Sequence, residues 1–568
     1  MIEEIMQNSE KVLIIGLDGA TWTILGPWIE AGMLPNLARL RENGSWGELR
    51  SSIPPLTAPA WSSFLTGKNP GKHGVFHFVA LDDEPVTASA GKPEIVDSRS
   101  IRSSTLWDIL AHNDKKIGSI NVPMSYPARP VNGFMVTCLL TPPGATFTYP
   151  SDLSTQLDGY QIDLDRFIDH KPFARDLPAQ QKKRVVKPSL QLMQEFYEME
   201  EKRAEASLRL MESQPWDVFM VVFTATDRMG HYLWPYHMNP DADGTEEGRA
   251  IHEAVVRFYK RLDQHVGDLA QKAGTDTAVI IMSDHGMGPI YSKNTHWNNW
   301  LYKQGYITIE KSTSNTPDAL MLKLGISRDK LRRIAYRIPG FSSSKLAKKA
   351  KTVQTAAIDF QDSKAYYIRI FDPVGGIRIN AKGEEKGRLR QELMEKLKGI
   401  VDPDTGKPIV RWVMTREECF HGPYADGMPD IILIMYPEYG SSDRLSNYSA
   451  IVTDRPEIGD PGGHHIEGIF IASGREIVHN PTALPDLKIE DIAPTVLHLM
   501  GLPVPEDMDG RVITEILDPA DIQKRPVVNG MPVGRWPDEQ AALDSHADLT
   551  AGDDEKIQER LRALGYIE

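Results

Sequence analysis

Five short stretches carry the side chains that could do chemistry. They are Asp18 in IIGLDGA, Thr57 in IPPLTAPAWSSFLTGKNPGKHGV, Asp227 and His231 in TDRMGH, Asp284 and His285 in SDHGM, and His464 and His465 in GGHH. Each has a plain structural reading on its own. Asp-Gly after an apolar run is a turn former. Thr57 suits a helix N-cap, with Pro59 in the first turn and Gly67 ending the helix. Asp227 and His231, four apart, share one face of a helical turn and could hold one ion together. Asp284 and His285 are neighbours that strand pleating would send apart, so they converge only where the backbone turns, which Gly286 permits. The 67–73 stretch GKNPGKH is not a phosphate-binding P-loop, because its glycine spacing is wrong and His73 stands where Ser or Thr is required. Together the stretches supply three carboxylates and three or four imidazoles. Six such ligands satisfy two divalent ions at three protein ligands each, leaving positions open for substrate. Mixed oxygen and nitrogen donors without thiolate suit Zn²⁺ first and Mn²⁺ second. Two ions roughly 4 Å apart are the arrangement for in-line displacement at phosphorus.

These residues must be brought together by the elements that precede them. Lys11–Leu17 is a short apolar run, and similar runs end at 221–223, 278–282, 431–435 and 469–472, with helical stretches at 35–43, 250–273 and 490–500 between them. Strand and helix alternating in this way predict an α/β fold, a mostly parallel central sheet sandwiched by helices. The chemical residues lie just past strand ends, where such sheets bind ligands. The expected core is discontinuous, 11–310 and 355–515. Stretches 76–102 and 140–213 read as cap insertions, the second ending in a long amphipathic helix over 187–213. Residues 311–354 form a basic insertion, in which 321–351 carries ten Lys and Arg against Asp329 alone. The 519–568 tail is polar until Ile557, Leu561 and Leu564 mark a short helix.

Composition narrows the function. With 41% hydrophobic and 25% charged residues in 568, the chain is a globular protein large enough for several domains. Its net charge of −14 argues against a nucleic-acid polymer as partner, since that affinity comes from Lys and Arg neutralising phosphates. Cys138 and Cys419 are the only cysteines and suggest neither a disulfide framework nor a thiolate metal site. An acidic start and an apolar run of about six residues, too short for a signal peptide or a membrane span, lead us to expect a cytoplasmic protein. The basic 321–351 stretch fits a solvated helical face best, with peripheral contact to an anionic membrane surface as the alternative.

The five motifs, in this order, resemble those of the alkaline phosphatase superfamily, and most closely its type I phosphodiesterase/nucleotide pyrophosphatase branch, including phosphohydrolases and phosphomutases. The resemblance covers 11–119, 216–306 and 366–513. It implies an alkaline phosphatase-like core, one ion held by Asp227, His231 and His464, and a second held by Asp18, Asp284 and His285 together with the Thr57 hydroxyl. His464 is preferred to His465 because the ligand directly follows the glycine pair. Two departures matter. The sequence TAPAW lacks the Cys-x-Pro-x-Arg of sulfatases and its serine counterpart, which disfavours sulfate ester hydrolysis. Ala60 replaces the Asn that helps hold a phosphate oxygen in extracellular phosphodiesterases, leaving that contact to the Ala58 N–H, the metals, or side chains such as Asn121 and Arg378, for which a buried structural Asn and a surface Arg are the plainer readings.

The expected activity is metal-dependent hydrolysis of a phosphate ester through a phosphothreonine at Thr57. The substrate is a phosphorylated small molecule, with nucleotide, sugar and lipid phosphates all open. Transfer of the phosphoryl group to an alcohol, as a phosphomutase or phosphotransferase, is the nearest alternative. An inactive metal-containing binding protein is the more distant one.

Overall fold

Runs of apolar residues with no polar alternation form strands buried on both faces, and they set the architecture here. A computed structural model describes residues 11–80, 94–164, 188–311, 357–443, 445, 451–455, 460–537, 555–558 and 560–561. Nine strands build one sheet: Lys11–Leu17 (β1), Ser45–Arg50 (β2), Ile117–Ile120 (β3), Gly133–Val136 (β4), Thr148–Tyr149 (β5), Val218–Phe223 (β6), Thr277–Met282 (β7), Glu467–Gly474 (β8) and Leu484–Lys488 (β9). Their order is β9-β2-β8-β7-β1-β6-β3-β4-β5. The central run β7-β1-β6-β3-β4 is parallel throughout, so the sheet is mostly parallel as expected. The apolar run at 469–472 belongs to β8, which runs antiparallel to both β7 and β2.

Helices Pro35–Glu42 (α1), Thr57–Thr66 (α2), Leu190–Ser213 (α3), Ala225–Met238 (α4), Glu246–Ala273 (α5) and Ile492–Leu499 (α6) accompany this sheet. The stretch expected as a helix over 490–500 opens with a 3₁₀ turn, Ile489–Asp491, before α6. Helix α3, expected in a cap, packs on α5 and against β6 and β3. Its apolar stripe, with Leu192, Phe196, Met199 and Leu210 buried, suits a position in the helical layer over the sheet.

The chain divides into two compact units, and the segments expected as one core contribute to both. The first comprises Met1–Pro289, His421–Tyr424 and Ile458–Glu568, and holds the nine-stranded sheet. The second comprises Ile290–Phe420 and Ala425–Glu457. In the second, the run IILIM (Ile431–Met435) is not a strand of the parallel sheet. It pairs antiparallel with Val374–Ile379 and Val410–Thr415 in a separate four-stranded sheet covered by helix Gly383–Lys398, around Tyr367, Ile377, Leu393, Leu397 and Leu433. A five-residue apolar run is equally suited to either kind of strand, and its pairing partners decide which.

The 321–351 basic stretch lies outside the described residues. Residues 555–558 and 560–561 are helical with Ile557 and Leu561 buried, while Leu564 lies outside the described residues. Arg560 Nη1 donates to the carbonyls of Leu139 and Thr141, at 2.6 and 2.7 Å. Among the described residues no helix is long and apolar enough to cross a membrane.

One contact in the sheet links fold and site. Trp61 of α2 lies over Gly16 of β1, where a Cβ would stand 2.6 Å from the indole Cη2 and 2.9 Å from Val222 Cγ2. Both neighbours are fully buried and cannot swing aside. Gly16→Ala is therefore expected to destabilise the protein by about 1–3 kcal/mol through overpacking. Urea unfolding with an unchanged m-value checks this, and a change within about 0.5 kcal/mol would show that the ring accommodates the methyl.

Candidate active site

Strand register gathers the acids. In the adjacent strands β7, β1 and β6, Gly16 pairs with Met282 and Leu17 with Phe223, so the carboxyl ends lie level. Asp18 follows β1, Asp284 and His285 follow β7, and Asp227 occupies the first turn of α4 just after β6. The backbone ties the ends together. Asp18 N donates to Phe223 O at 3.0 Å, and Thr226 Oγ1 donates to Asp18 O at 2.5 Å.

His464 arrives on an antiparallel ribbon, Gly462–His465 against Gly286–Pro289, with His464 opposite Met287. The ribbon can approach α4 because Gly462 has no side chain: a Cβ there would stand 1.9 Å from Gly230 O. Gly286 is required for a similar reason. A Cβ would stand 1.9 Å from Glu467 O, so close approach to β8, rather than a special backbone conformation, accounts for this glycine. The His465 ring packs on Gly288.

All seven residues expected as ligands meet in one buried cluster. Asp227 Oδ1 is 3.4 Å from His231 Nε2 and 3.4 Å from His464 Nε2, and the two imidazole nitrogens are 2.9 Å apart. His285 Nε2 is 3.3 Å from Asp284 Oδ2 and 3.9 Å from both Asp18 Oδ1 and Asp227 Oδ1. It also lies 3.4 Å from Thr57 Oγ1. The His285 and His464 rings stack with centroids 3.7 Å apart. One atom from each of Asp18, Asp284 and His285 falls within a 4.8 Å group, as does one from each of Asp227, His285 and His464, so His285 stands between the two halves.

Thr57 is not the expected N-cap. The cap position is Leu56, which makes no side-chain capping bond, and Thr57 is the first helical residue. Its hydroxyl lies 3.4 Å from His285 Nε2. The other end is as expected, with Gly67 left-handed at φ 65°.

Each carboxylate has one oxygen held by a fixed donor. Trp61 Nε1 donates to Asp18 Oδ2 at 3.1 Å, Gly19 N to Asp284 Oδ1 at 3.1 Å, and Arg228 Nη1 to Asp227 Oδ2 at 2.7 Å. The second oxygens of Asp18 and Asp284 are buried and accept no hydrogen bond among the described residues. Two imidazoles are oriented the same way. His464 Nδ1 is 2.8 Å from Pro55 O and His285 Nδ1 is 3.1 Å from Gly286 O, which leaves Nε2 as the inward electron-pair donor.

The electrostatics match this geometry. Burial, with Asp284 and Asp227 beside it, pushes the Asp18 carboxyl well above its usual range. Burial pushes Asp284 up to about 8, with the Gly19 N–H acting against the rise and Asp227 adding to it. Burial would raise Asp227 as well, but His231 and His464 outweigh it and hold that carboxyl well below its usual value. Burial, reinforced by His464, depresses His285 well below normal. Unpartnered buried acceptors next to imidazole electron pairs, with too much negative charge for the protein alone to balance, form a donor set that fits divalent cations.

Several contributors escaped the sequence reading. Arg228 lies inside TDRMGH, and a buried cation between two metal-type residues was a readable signal. Trp61, one helical turn after Thr57, was marked only by its size. Asp163, 3.2 Å from Arg228 Nη2, sits in an aperiodic stretch that gave no sign of it. The expected substrate contacts are less central. Ala58 is buried in the first turn of α2. Asn121 is buried at the end of β3, and its Nδ2 donates to Val222 O at 2.9 Å, the structural use of that amide. Arg378 belongs to the second unit, where Nη2 donates to Gly427 O at 2.5 Å.

The sequence model of the type I phosphodiesterase / nucleotide pyrophosphatase family matches residues 12–463. No curated protein matches the chain. Among solved structures, the fold is similar to that of phosphonoacetate hydrolase from Sinorhizobium meliloti 1021 in complex with phosphonoacetate, with a TM-score of 0.51 and 17% identity over 85% of this chain and 94% of that one. It is also similar to murine ectonucleotide pyrophosphatase / phosphodiesterase 5, an inactive form in complex with AMP, with a TM-score of 0.45 and 13% identity over 90% of this chain and 100% of that one. With the family's match spanning most of its length, the α/β fold in place and its acidic and imidazole side chains gathered at the strand ends, the chain belongs to the type I phosphodiesterase / nucleotide pyrophosphatase family of phosphoester hydrolases.

Proposed function

We propose that this protein hydrolyses a phosphate ester of a small molecule with two divalent ions, of which Zn²⁺ best suits the oxygen and nitrogen donors, and with Thr57 as nucleophile. The observation that carries the reading is the Thr57 hydroxyl, 3.4 Å from His285 Nε2, at the start of a helix and beside six convergent ligand residues. In this reading Asp18, Asp284 and His285, with Thr57, hold one ion, and Asp227, His231 and His464 hold the other. Bound there, the ions would supply Lewis acidity at the phosphoryl group and lower the pKa of the attacking hydroxyl.

The remaining work falls to the chain. Thr57 Oγ1 gives up its proton to solvent and bonds to phosphorus while the bond from phosphorus to the leaving oxygen breaks, that oxygen taking a proton from solvent to depart as a hydroxyl, which leaves a phosphothreonine. Water then cleaves the new bond, releasing phosphate or a phosphomonoester and restoring the hydroxyl. The Ala58 N–H in the first turn of α2 suits a phosphoryl oxygen at a positive helix end. Trp61 holds Asp18 on the same helix that presents Thr57, so nucleophile and ligand are oriented together. Cys138 and Cys419 are not joined in a disulfide, which suits a cytoplasmic protein.

Thr57→Ala should retain bound metal and the wild-type unfolding midpoint but lose about 10⁴-fold in turnover, about 5.4 kcal/mol of barrier. Assays on aryl phosphate monoesters, aryl diesters and a phosphonate, with metal analysis of the same sample, measure it. Undiminished turnover in that variant removes Thr57 from the mechanism.

Metal removal should also expose the acid cluster to pH. The carboxyls of Asp18 and Asp284 are raised in the folded protein, so their protonated forms favour folding. That contribution is complete below the ordinary value of 3.8 and is lost as each carboxyl ionises in the folded protein, for Asp284 as pH rises through about 8. The depressed His285 and His464 work in the opposite sense only up to the ordinary histidine value of 6.5, so in chelator the unfolding midpoint should fall between about pH 7 and pH 8, and stabilisation by added Zn²⁺ should grow over the same interval. A metal-free midpoint that rises across that interval contradicts the charge arrangement.

A further inference from the structure

We propose that Arg228 and Asp163 are positioning residues for the Asp227–His231–His464 half of the site, with Arg228 choosing which oxygen of Asp227 faces the imidazoles and Asp163 offsetting the charge that Arg228 brings. The proposal rests on the two-ion reading above.

The contacts form a chain. Arg228 Nη1 lies 2.7 Å from Asp227 Oδ2 and Arg228 Nη2 lies 3.2 Å from Asp163 Oδ2, with all three side chains at most 1% exposed. Holding Oδ2 turns Oδ1 towards His231 Nε2 and His464 Nε2, each at 3.4 Å. The terminal torsion of an aspartate is broad, so without this contact the carboxylate plane would be free to rotate.

A second connection runs beside the first. Arg203 of α3 pairs with Glu200, and its Nη2 donates to Ile162 O at 2.8 Å. Glu200 Oε1 accepts from Ala225 N at 2.7 Å, and Arg203 Nη1 reaches Thr224 Oγ1 at 3.3 Å. The segment carrying Asp163 and the helix end carrying Asp227 are thus joined twice, once through Arg228 and once through the Arg203–Glu200 pair. Asp163 itself is further fixed by Leu164 N, which donates to Oδ1 at 2.8 Å.

The charges explain why two residues are needed. A guanidinium bound to Asp227 alone would orient it but would also compete with a cation for its charge. Asp163 on the far side of the guanidinium compensates for that, so Asp227 is held by a nearly neutral pair. Lysine cannot replace the arginine in full, because one ammonium cannot present two planar donors to two separate carboxylates.

Zinc titration of the full-length protein against a chromogenic chelator, with thermal unfolding of the metal-free form, tests this. Wild type should bind two ions. R228K and D163N should each weaken one of them by about 10–100-fold and leave the other unchanged, with R228M weaker than R228K. The double variant D163N/R228M, which leaves no charge of the pair buried alone, should regain unfolding midpoint relative to R228M without regaining zinc affinity. If affinity and midpoint recover together in the double variant, the pair is only structural and the proposal fails. Two ions bound with wild-type affinity in R228K and D163N also overturn it while leaving the two-ion reading intact. A wild-type protein that binds no zinc overturns both.

Discussion

Three aspartates drawn into one dry space set the central constraint on this molecule. Asp18, Asp227 and Asp284 are each at most 1% exposed, and burial alone opposes the ionised form of every one. Carboxylates this close cannot all carry their charge unless positive charge or donors surround them. The protein supplies only part of what is needed. One oxygen of each receives a fixed donor, from an indole, a backbone N–H and a guanidinium respectively, and the oxygens facing inward are left to meet imidazole electron pairs. A polar cluster completed on its outer side and incomplete on its inner side is arranged for a cationic guest, not for self-satisfaction.

The fold makes that arrangement affordable in geometric terms because its rigid parts carry the site. Parallel strands β7, β1 and β6 end level, so Asp18, Asp284 and Asp227, one, two and four residues beyond those ends, converge without long side chains. Helix α4 starts where β6 stops and places Asp227 and His231 one turn apart. The ribbon bearing His464 comes from a distant part of the sequence, and its approach depends on backbone meeting backbone at Gly462 and Gly230. Bulk at that crossing would separate His464 from His231 and divide the cluster.

Much of this was legible in the chain, for physical reasons. Apolar runs followed at once by Asp, or by Asp-His, identify strand ends that carry polar groups, and the parallel sheet follows from the helices between those runs. Asp18, Asp284 and His285 could be found this way because strand ends converge in such a sheet, whereas the grouping with Thr57, Asp227, His231 and His464 came from the order of motifs that the chain shares with its family. The run at 431–435 was misassigned because an isolated apolar run does not reveal its partners. For Thr57 the plain alternative of a helix cap stood beside the nucleophile reading, because a hydroxyl before an Ala-Pro step fits either in sequence, and only the structure places Leu56 at the cap position. Asp163 was invisible because its role depends on Arg228, and no periodicity links an irregular segment to a helix more than sixty residues away.

The absence of side-chain capping at α2 has a consequence for catalysis. A capping hydroxyl would satisfy a first-turn N–H. With Leu56 in the cap position, no side chain caps α2, and Thr57 lies inside its first turn with its hydroxyl 3.4 Å from His285 Nε2. The same helix then uses its next turn for Trp61, which binds Asp18 and rests in the space left by Gly16. The proposed nucleophile, the first-turn Ala58 N–H and the orienting contact to Asp18 therefore sit on ten consecutive residues, Thr57–Thr66. A shift of this one helix would disturb all three together, so the distance from the hydroxyl to the acid cluster is fixed by the packing of the core and not by the flexibility of a loop.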